Sequence, residues 1–572
     1  MPKIELSQEA LFSYLQTRMD DVELEKLLTV AKAELDEPVN DEGIVKIELN
    51  DTNRPDLWST AGLARQLRLH RGAPMPDYRF ISRPGETADT GTRRVIVDAG
   101  LQEIRPFIAA FAVTGTAIDE SLLNDLIQTQ EKLCWNYGRK RRSIAMGVYR
   151  SDLMKYPVRY VAADPDGTRF SPLGLTEELT MREMLSKHPK GQEFGHIVAD
   201  ASAFPLLTDD RGDVLSFPPI INSARIGAVE VGDSNLFIEM TGTDMPSLLH
   251  ACSIVACDLA DAGYTILPVT IEYPYDTPVG REVVTPCYFQ TPVSTTVPYI
   301  EKLLGRTIAG DELAAGLRRM GIAATVTEAG VTIEPPPYRN DFLHPVDVVE
   351  DAMIGLGMDT FPPEVPSDFT VGRLSPAELF GRRVKSILVG LGYQEMIFNY
   401  LGSRRDFIER VYPESEWEAQ HAAHVQVANP MSENFEFVRA SILPHLLIAE
   451  SGSANAVYPH LVFEVGKVVR RDATDNYGSI TRNSLGMLGA DAEAGFTLIN
   501  SHISALFYYL GRDYTLRESG DPRFIPGRCA EIVVNGTTSG WFGEVHPETL
   551  EKFGIQVPVC AGEIDLDTVQ GV

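Results

Sequence analysis

Four carboxylates crowd the segment Tyr338–Asp351, which reads Tyr-Arg-Asn-Asp-Phe-Leu-His-Pro-Val-Asp-Val-Val-Glu-Asp. Pro345 suits the first position of a helix, where a missing N–H leaves no bond unmade. A helix starting there puts Asp347, Glu350 and Asp351 at i, i+3 and i+4, on one face. Asp341 precedes it and can fold back toward that face. With no lysine nearby in the sequence, this is a hard, oxygen-only donor set. It suits Mg²⁺, which takes few protein ligands and keeps several waters. The same residues also read as an acidic first turn that complements the helix dipole.

The elements around this motif define a small helix-rich domain over residues 284–361. Its helices are predicted at Val297–Leu304 and at Asp311–Met320, the second stopped by Gly321, and Pro362, Pro363 and Pro366 close it. Residues 1–90 read as a small mixed domain. Ser7 precedes a helix through Leu11, Tyr14 and Leu15, and a strand spans Ile44–Leu49. The run Asn53-Arg54-Pro55-Asp56-Leu57 reads as a capped turn before a helix over Ser59–Leu69. Ser82–Thr92 has linker composition. A mixed α/β domain over residues 91–275 follows, with a strand at Arg93–Val97 and a helix at Leu122–Leu133. The last domain, 370–572, opens on Ser375-Pro376-Ala377-Glu378, a capping box with proline at the first helical position. Phe380, Val384, Ile387, Leu388 and Leu391 carry the helix to Gly392. Runs around Val462–Val465, Ile532–Val534 and Trp541–Gly543 predict an antiparallel sheet. The fold class is therefore α+β and multidomain.

Composition excludes several function classes. At 572 residues the chain exceeds one core. Its six cysteines are scattered with no Cys-x-x-Cys pair, and Cys252 and Cys257 sit in an apolar helical run. This predicts a reduced, cytoplasmic setting. The first residues lack an apolar signal core, and no stretch reaches membrane-spanning length. The 51 Lys and Arg against 80 Asp and Glu give a net charge of −29. Such a chain is repelled by phosphates, so it makes a poor main surface for nucleic acid. The local exception is Arg139-Lys140-Arg141-Arg142.

The acidic segment resembles the metal-binding motif of the phenylalanyl-tRNA synthetase β-subunit family. There an Arg-x-Asp stretch runs into a helix with two adjacent acids. The resemblance implies that Asp341, Asp347, Glu350 and Asp351 hold a Mg²⁺ ion shared with an α subunit. Asp351 stands where a Glu is usual, one methylene shorter. The likeness covers nearly the whole chain. It includes Asn429-Pro430-Met431-Ser432, Val438-Arg439-Ala440-Ser441-Ile442-Leu443-Pro444, Phe463-Glu464-Val465-Gly466, Gly543-Glu544-Val545-His546-Pro547 and Glu563-Ile564-Asp565-Leu566.

In the second domain, Gly138-Arg139-Lys140-Arg141, Asp213–Asn222 and Leu236–Asp244 resemble the archaeal and eukaryotic form of the family. That form hydrolyses tyrosine wrongly attached to the phenylalanine tRNA. A hydrolytic second sieve is reasonable because an apolar pocket poorly rejects one added hydroxyl. The resemblance implies an editing site of Leu207, Ser216, Glu239 and Thr241. Glu239 stands where Asp is often found and offers an acceptor for the phenol. Thr241 lies two residues on and faces the same way in a regular strand. Ser216, Glu239 and Thr241 also read as residues that merely close turns and cap strands. No Ser-His-Asp or Cys-His signature accompanies them. Hydrolysis would then rest on a positioned water and the tRNA's own hydroxyl. Two features of the family's bacterial form, an oligonucleotide-binding barrel between residues 90 and 120 and a C-terminal anticodon module, are expected to be missing.

For the last domain the resemblance implies the sheet of a class II synthetase. Adenylate formation needs cationic groups against ATP phosphates. From Cys529 to Val572 there is no arginine. This domain is expected to be a catalytically inactive copy, with no aminoacylation residues in this chain. Phenylalanine and ATP would bind the α subunit of an α₂β₂ ligase that acts on tRNA(Phe). A freestanding editing hydrolase and an inert interaction scaffold are the alternatives.

Overall fold

Local caps set most helix starts. Ser7, Ser59 and Ser375 accept the backbone N–H of Ala10, Gly62 and Glu378 and begin helices at Gln8–Leu15, Thr60–His70 and Pro376–Gly390. The computed structural model describes residues 2–83, 89–328, 330–453 and 455–571. Part of the expected linker, residues 84–88, lies outside them. The chain divides into two compact units, Met1–Glu364 and Val365–Val572.

In the first unit, Lys3–Ser7, Ile44–Leu49 and Ala33–Glu37 form an antiparallel sheet with Ile44–Leu49 in the middle. The turn expected to be capped by Asn53 and Asp56 is held differently. Arg54 Nε and a terminal nitrogen each lie 2.8 Å from an oxygen of Asp56, with both side chains buried.

A ten-stranded sheet among the described residues dominates this unit. Its strand Asn235–Gly242 lies between Phe107–Thr114 and Ile144–Arg150, antiparallel to both. Leu236–Gly242 are buried on both faces rather than on alternate residues. The helix Met245–Asp261 packs against this strand and against Phe107–Thr114. Glu239 and Thr241 therefore sit deep in the protein, on one side of the strand. Farther along, Phe204–Thr208 pairs with Val214–Phe217, which places Leu207 opposite Ser216. The sheet runs past residue 275, since Glu282–Thr285 pairs with Thr265–Glu272.

The acidic motif belongs to a layer of three helices, Val297–Leu304, Gly310–Arg319 and Pro345–Leu356. They share a core with the three-stranded sheet Val293–Thr295, Gly330–Glu334, Ala323–Thr327. The last two helices touch backbone to backbone: a Cβ on Gly355 would lie 2.0 Å from the Gly316 carbonyl oxygen.

The second unit is built on a seven-stranded sheet, antiparallel except for the edge strand Gln394–Glu395. Helices Pro376–Gly390 and Phe496–Leu510 pack on it through Val384, Leu388, Ile499 and Ile503.

Candidate functional site

The acidic segment does not converge on one centre. Arg339 takes two of its carboxylates: Asp341 at 2.9 and 2.5 Å, and Asp351 at 2.7 Å. All three side chains are buried. Burial pushes the Asp341 carboxyl up, but the charge and hydrogen bonds of Arg339 outweigh it and hold it at about 2. For Asp351 burial wins and its pKa is raised, with Arg339 only partly opposing. Asp347 closes a capping box instead: its Oδ2 accepts the N–H groups of Leu343 and His344 at 2.7 and 2.6 Å. Glu350 meets Lys32, which lies in the turn just before the strand Ala33–Glu37, at 2.5 Å. The shared face expected from i, i+3, i+4 spacing is therefore split, because Asp351 rotates into the interior while Glu350 stays half exposed. Among the described residues no group of three or more His, Cys, Asp or Glu could hold a metal ion.

The second candidate set does come together. Ser216, Glu239 and Thr241 are buried, as is Leu207. A residue that sequence reasoning passed over joins them. The Tyr149 phenol oxygen lies 2.8 Å from Glu239 Oε1 and 2.7 Å from Ser216 Oγ. With one proton, it donates to the carboxylate and accepts from the serine. Glu239 Oε2 is buried without a hydrogen-bond partner among the described residues. Burial pushes the Glu239 carboxyl up to about 7, against opposition from the Tyr149 hydrogen bond and the Arg105 charge. Gly147 makes room for the phenol: a Cβ there would lie 2.0 Å from the Tyr149 oxygen and 2.7 Å from Glu239 Oε1.

Arg105 was also missed, and nothing in its local sequence marks it. Its buried guanidinium donates to Thr241 Oγ1 at 3.0 Å, to the Thr241 carbonyl at 2.5 Å and to the Arg142 carbonyl at 3.0 Å. Its own carbonyl accepts the Tyr160 hydroxyl at 3.0 Å, and Tyr160 lies in register with Leu207. Thr241 thus shares a strand face with Glu239, as expected, but its hydroxyl anchors this arginine.

In the second unit the motif residues are spent on each other. Arg439 meets both oxygens of Glu464 at 2.6 and 2.9 Å, fully buried. Glu563 accepts from Ser441 Oγ, from the Ile442 N–H and from Ser484 Oγ. A cavity of about 340 Å³ on this sheet is lined by Arg470 and Arg482 but also by Asp472, Glu563 and Asp565.

Family models match three stretches. The Phe-tRNA synthetase β-subunit B1 domain covers residues 1–73 and the tRNA synthetase B5 domain 293–358. The phenylalanyl-tRNA synthetase β-chain CLM domain covers 361–566. The phenylalanine–tRNA ligase β subunit of Borrelia hermsii is 45% identical, with 100% of each chain covered. That of Treponema pallidum is 44% identical, with 99% of each covered. The chain belongs to the phenylalanine–tRNA ligase β-subunit family. A crystal structure of an N-terminal fragment of the phenylalanyl-tRNA synthetase β-subunit from Pyrococcus horikoshii shares 34% identity and superposes with a TM-score of 0.58. It covers 62% of this chain and 100% of that one.

These relatives correct one expectation. The archaeal and eukaryotic form inferred from the second domain is overturned, since relatives matching end to end come from the bacteria Borrelia and Treponema. The Mg²⁺ that the family resemblance implies does not fit the acidic segment as it stands. A cation at Asp341 and Asp351 would face the Arg339 guanidinium. Asp347 is engaged by two N–H groups and Glu350 by Lys32. Arg339 was in view in the sequence, two residues before Asp341. Lys32 could not be, since more than 300 residues separate it from Glu350.

Proposed function

We propose that this chain is the β subunit of a phenylalanine–tRNA ligase, that it scaffolds a catalytic α subunit in a cytoplasmic α₂β₂ assembly, and that its Glu239 cluster hydrolyses mischarged Tyr-tRNA. Full-length family relatives support the first part. The scaffold role rests on the second unit. Its arginines Arg439 and Arg523 are paired with Glu464 and Asp521, and three acids line the cavity beside Arg470 and Arg482. Such a site repels a triphosphate, so ATP and phenylalanine belong to the α subunit, with tRNA(Phe) held mainly through the complex.

The observation that carries the editing reading is the orphaned Glu239 Oε2. A buried carboxylate oxygen without a partner is costly in a protein that only folds. It can take the phenol of a bound tyrosine while Oε1 stays with Tyr149. Phenylalanine lacks that hydroxyl and would leave the oxygen unpaired, which supplies the discrimination. Water attacks the ester carbonyl, and the products are free tyrosine and the tRNA hydroxyl.

One observation favours an inert scaffold instead: the cluster is sealed, with Tyr149 already against Glu239. Deacylation of preformed Tyr-tRNA by the assembled enzyme decides. Glu239→Ala should slow it about 10- to 100-fold, the cost of a buried phenol left without its partner. Thr241→Val should lose less, and phenylalanine charging should hold. Equal deacylation rates with unchanged melting would leave these residues structural.

A further inference from the structure

The cavity of about 340 Å³ on the sheet of the second unit has no ligand in the proposed function. It lies over the strands His460–Arg471, Ser479–Ala490, Thr537–Val545 and Val559–Asp565. Alternate residues line it: Val468 and Arg470, Arg482 and Ser484, Glu563 and Asp565. Their neighbours Leu485 and Ile564 turn the other way, into the core under the helices Pro376–Gly390 and Phe496–Leu510. The cavity therefore belongs to the sheet face that those helices leave uncovered.

Charges of both signs meet across it without cancelling. Arg482 Nε stands 4.0 Å from Asp565 Oδ2, too far for a hydrogen bond. Asp565 gives its other oxygen to the N–H groups of Asp567 and Thr568, at 3.0 and 3.1 Å, where it caps the helix Leu566–Gln570. Arg470 is anchored by one bond, from its Nε to the Ala440 carbonyl at 3.3 Å. Its terminal nitrogens make no further hydrogen bond among the described residues. Glu563 differs, because Ser441 Oγ, the Ile442 N–H and Ser484 Oγ already fix its carboxylate as a rigid floor.

One wall is aromatic. Trp541 stands opposite Glu563 in register. The Arg523 guanidinium lies 3.9 Å from its ring centroid and is itself paired with Asp521, so the indole is held in place. Trp541 is only half-buried. Val468 and Ile480 add apolar surface, Val468 in register with Arg482 and Ile480 with Arg470.

A ligand of one sign fits this lining badly. An anion meets three carboxylates, Asp472, Glu563 and Asp565, and a simple cation meets two guanidinium groups. A zwitterion satisfies both. We infer that this cavity binds a free α-amino acid with an apolar side chain. Arg470 and Arg482 take its carboxylate, since a guanidinium fork matches two oxygens. Asp565 takes its ammonium beside Glu563, and its side chain lies along Trp541, Val468 and Ile480. The volume is at the small end of the range for ligand sites, which suits an amino acid better than a nucleotide. No bond is made or broken here.

The test uses the assembled enzyme and leucine. Leucine is neither the phenylalanine assigned to the α subunit nor the tyrosine assigned to Glu239, so the result is independent of both assignments. Calorimetric titration should show saturable binding at one site per copy of this chain. Isoamylamine, which lacks the carboxylate, and isocaproate, which lacks the ammonium, should each bind at least about tenfold more weakly. Arg470→Gln with Arg482→Gln should weaken leucine about 10- to 100-fold while isoamylamine binds no worse. Asp565→Asn, which keeps an acceptor for the helix cap, should weaken leucine and spare isocaproate. Hydrogen-exchange protection of Ser479–Ala490 and Val559–Asp565 checks that the sheet survives in each variant. The two truncated ligands are tested on the wild type, so the inference stands or falls even where a variant unfolds. No saturable binding by about 10 mM leucine, equal affinity for leucine and either truncated ligand, or wild-type affinity in both folded variants would overturn it.

Discussion

Replacing Arg339 with Met tests whether the acidic turn is a structural ion cluster or a metal site. The guanidinium is buried and lies within 3 Å of both Asp341 and Asp351, which are buried too. Met keeps the apolar volume and removes the charge together with the hydrogen bonds to Asp341. Two buried carboxylates then lose their counter-ion, and breaking a buried pair from one side costs about 3–5 kcal/mol. The pH dependence gives the sign. In the wild type Asp341 is held at about 2, below its ordinary 3.8. Its contribution is therefore present above about pH 4 and lost as pH falls toward 2. Without Arg339 the charge of Arg54 is the main opposition left to burial, and both carboxyls titrate higher than in the wild type. The deficit of the variant is then largest near neutral pH and shrinks on acidification. Hydrogen exchange of the helix Pro345–Leu356 in the full-length protein reads this locally, which a global melt of a multidomain chain does not. Adding Asp341→Asn and Asp351→Asn should restore most of the lost protection. If Arg339→Met leaves protection unchanged while Mg²⁺ raises it in the wild type, the ion-cluster reading is wrong and the metal reading returns.

Three further outcomes follow from the same geometry. Glu239→Gln should change the pH profile of stability: the wild-type carboxyl is raised from 4.5 to about 7. Its neutral form favours the fold below about pH 4.5, and that advantage is lost as pH rises through 7, on the order of 3 kcal/mol. The hydrogen-exchange protection of the strand Asn235–Gly242 in the wild type relative to the variant should fall between pH 5 and 8, and parallel profiles would contradict the assignment. Gly147→Ala should cost about 1–3 kcal/mol by driving a methyl into the Tyr149 phenol, so a neutral substitution would mean that the phenol does not lie there. The chain without its α partner should show no phenylalanine-dependent ATP–pyrophosphate exchange, and measurable exchange would refute the inactive-copy proposal.

The parts of the fold that were legible in the sequence are those set by neighbours in the chain. Ser7, Ser59 and Ser375 mark helix starts because the bonds they make span three residues. The strand Ile44–Leu49 shows its period in six residues. The capping box expected at Ser375 is only half realised, since Ser375 accepts from Glu378 while the Glu378 carboxylate turns to Arg382. Sequence patterns set which residues share a face but not which neighbour reaches that face first. That is why the four acids of Tyr338–Asp351 separate: Arg339 lies two residues away, yet whether it or a metal fills the site depends on how deeply Asp351 is buried. The deciding depth comes from packing of Val348, Val349 and Ala352 into the helical core.

The Glu239 cluster was legible only in part, for a different reason. Its four expected members do lie close together, but the two residues that define their chemistry, Tyr149 and Arg105, come from other strands and connections of the ten-stranded sheet. Tyr149 is separated from Glu239 by 90 residues and Arg105 from Thr241 by 136. Their effect is not additive decoration. Without Tyr149 both oxygens of Glu239 would be bare, and burial would leave little reason for a charged residue there. Without Arg105 only the Tyr149 hydrogen bond would oppose the upward push on that carboxyl. The same guanidinium also fixes the Arg142 carbonyl and so ties the basic loop to this cluster. If the cluster hydrolyses Tyr-tRNA, Arg105→Lys should slow that deacylation in the assembled enzyme, because Lys keeps a charge but has one nitrogen where three oxygens are now bonded; an unchanged rate would leave Arg105 a purely structural anchor.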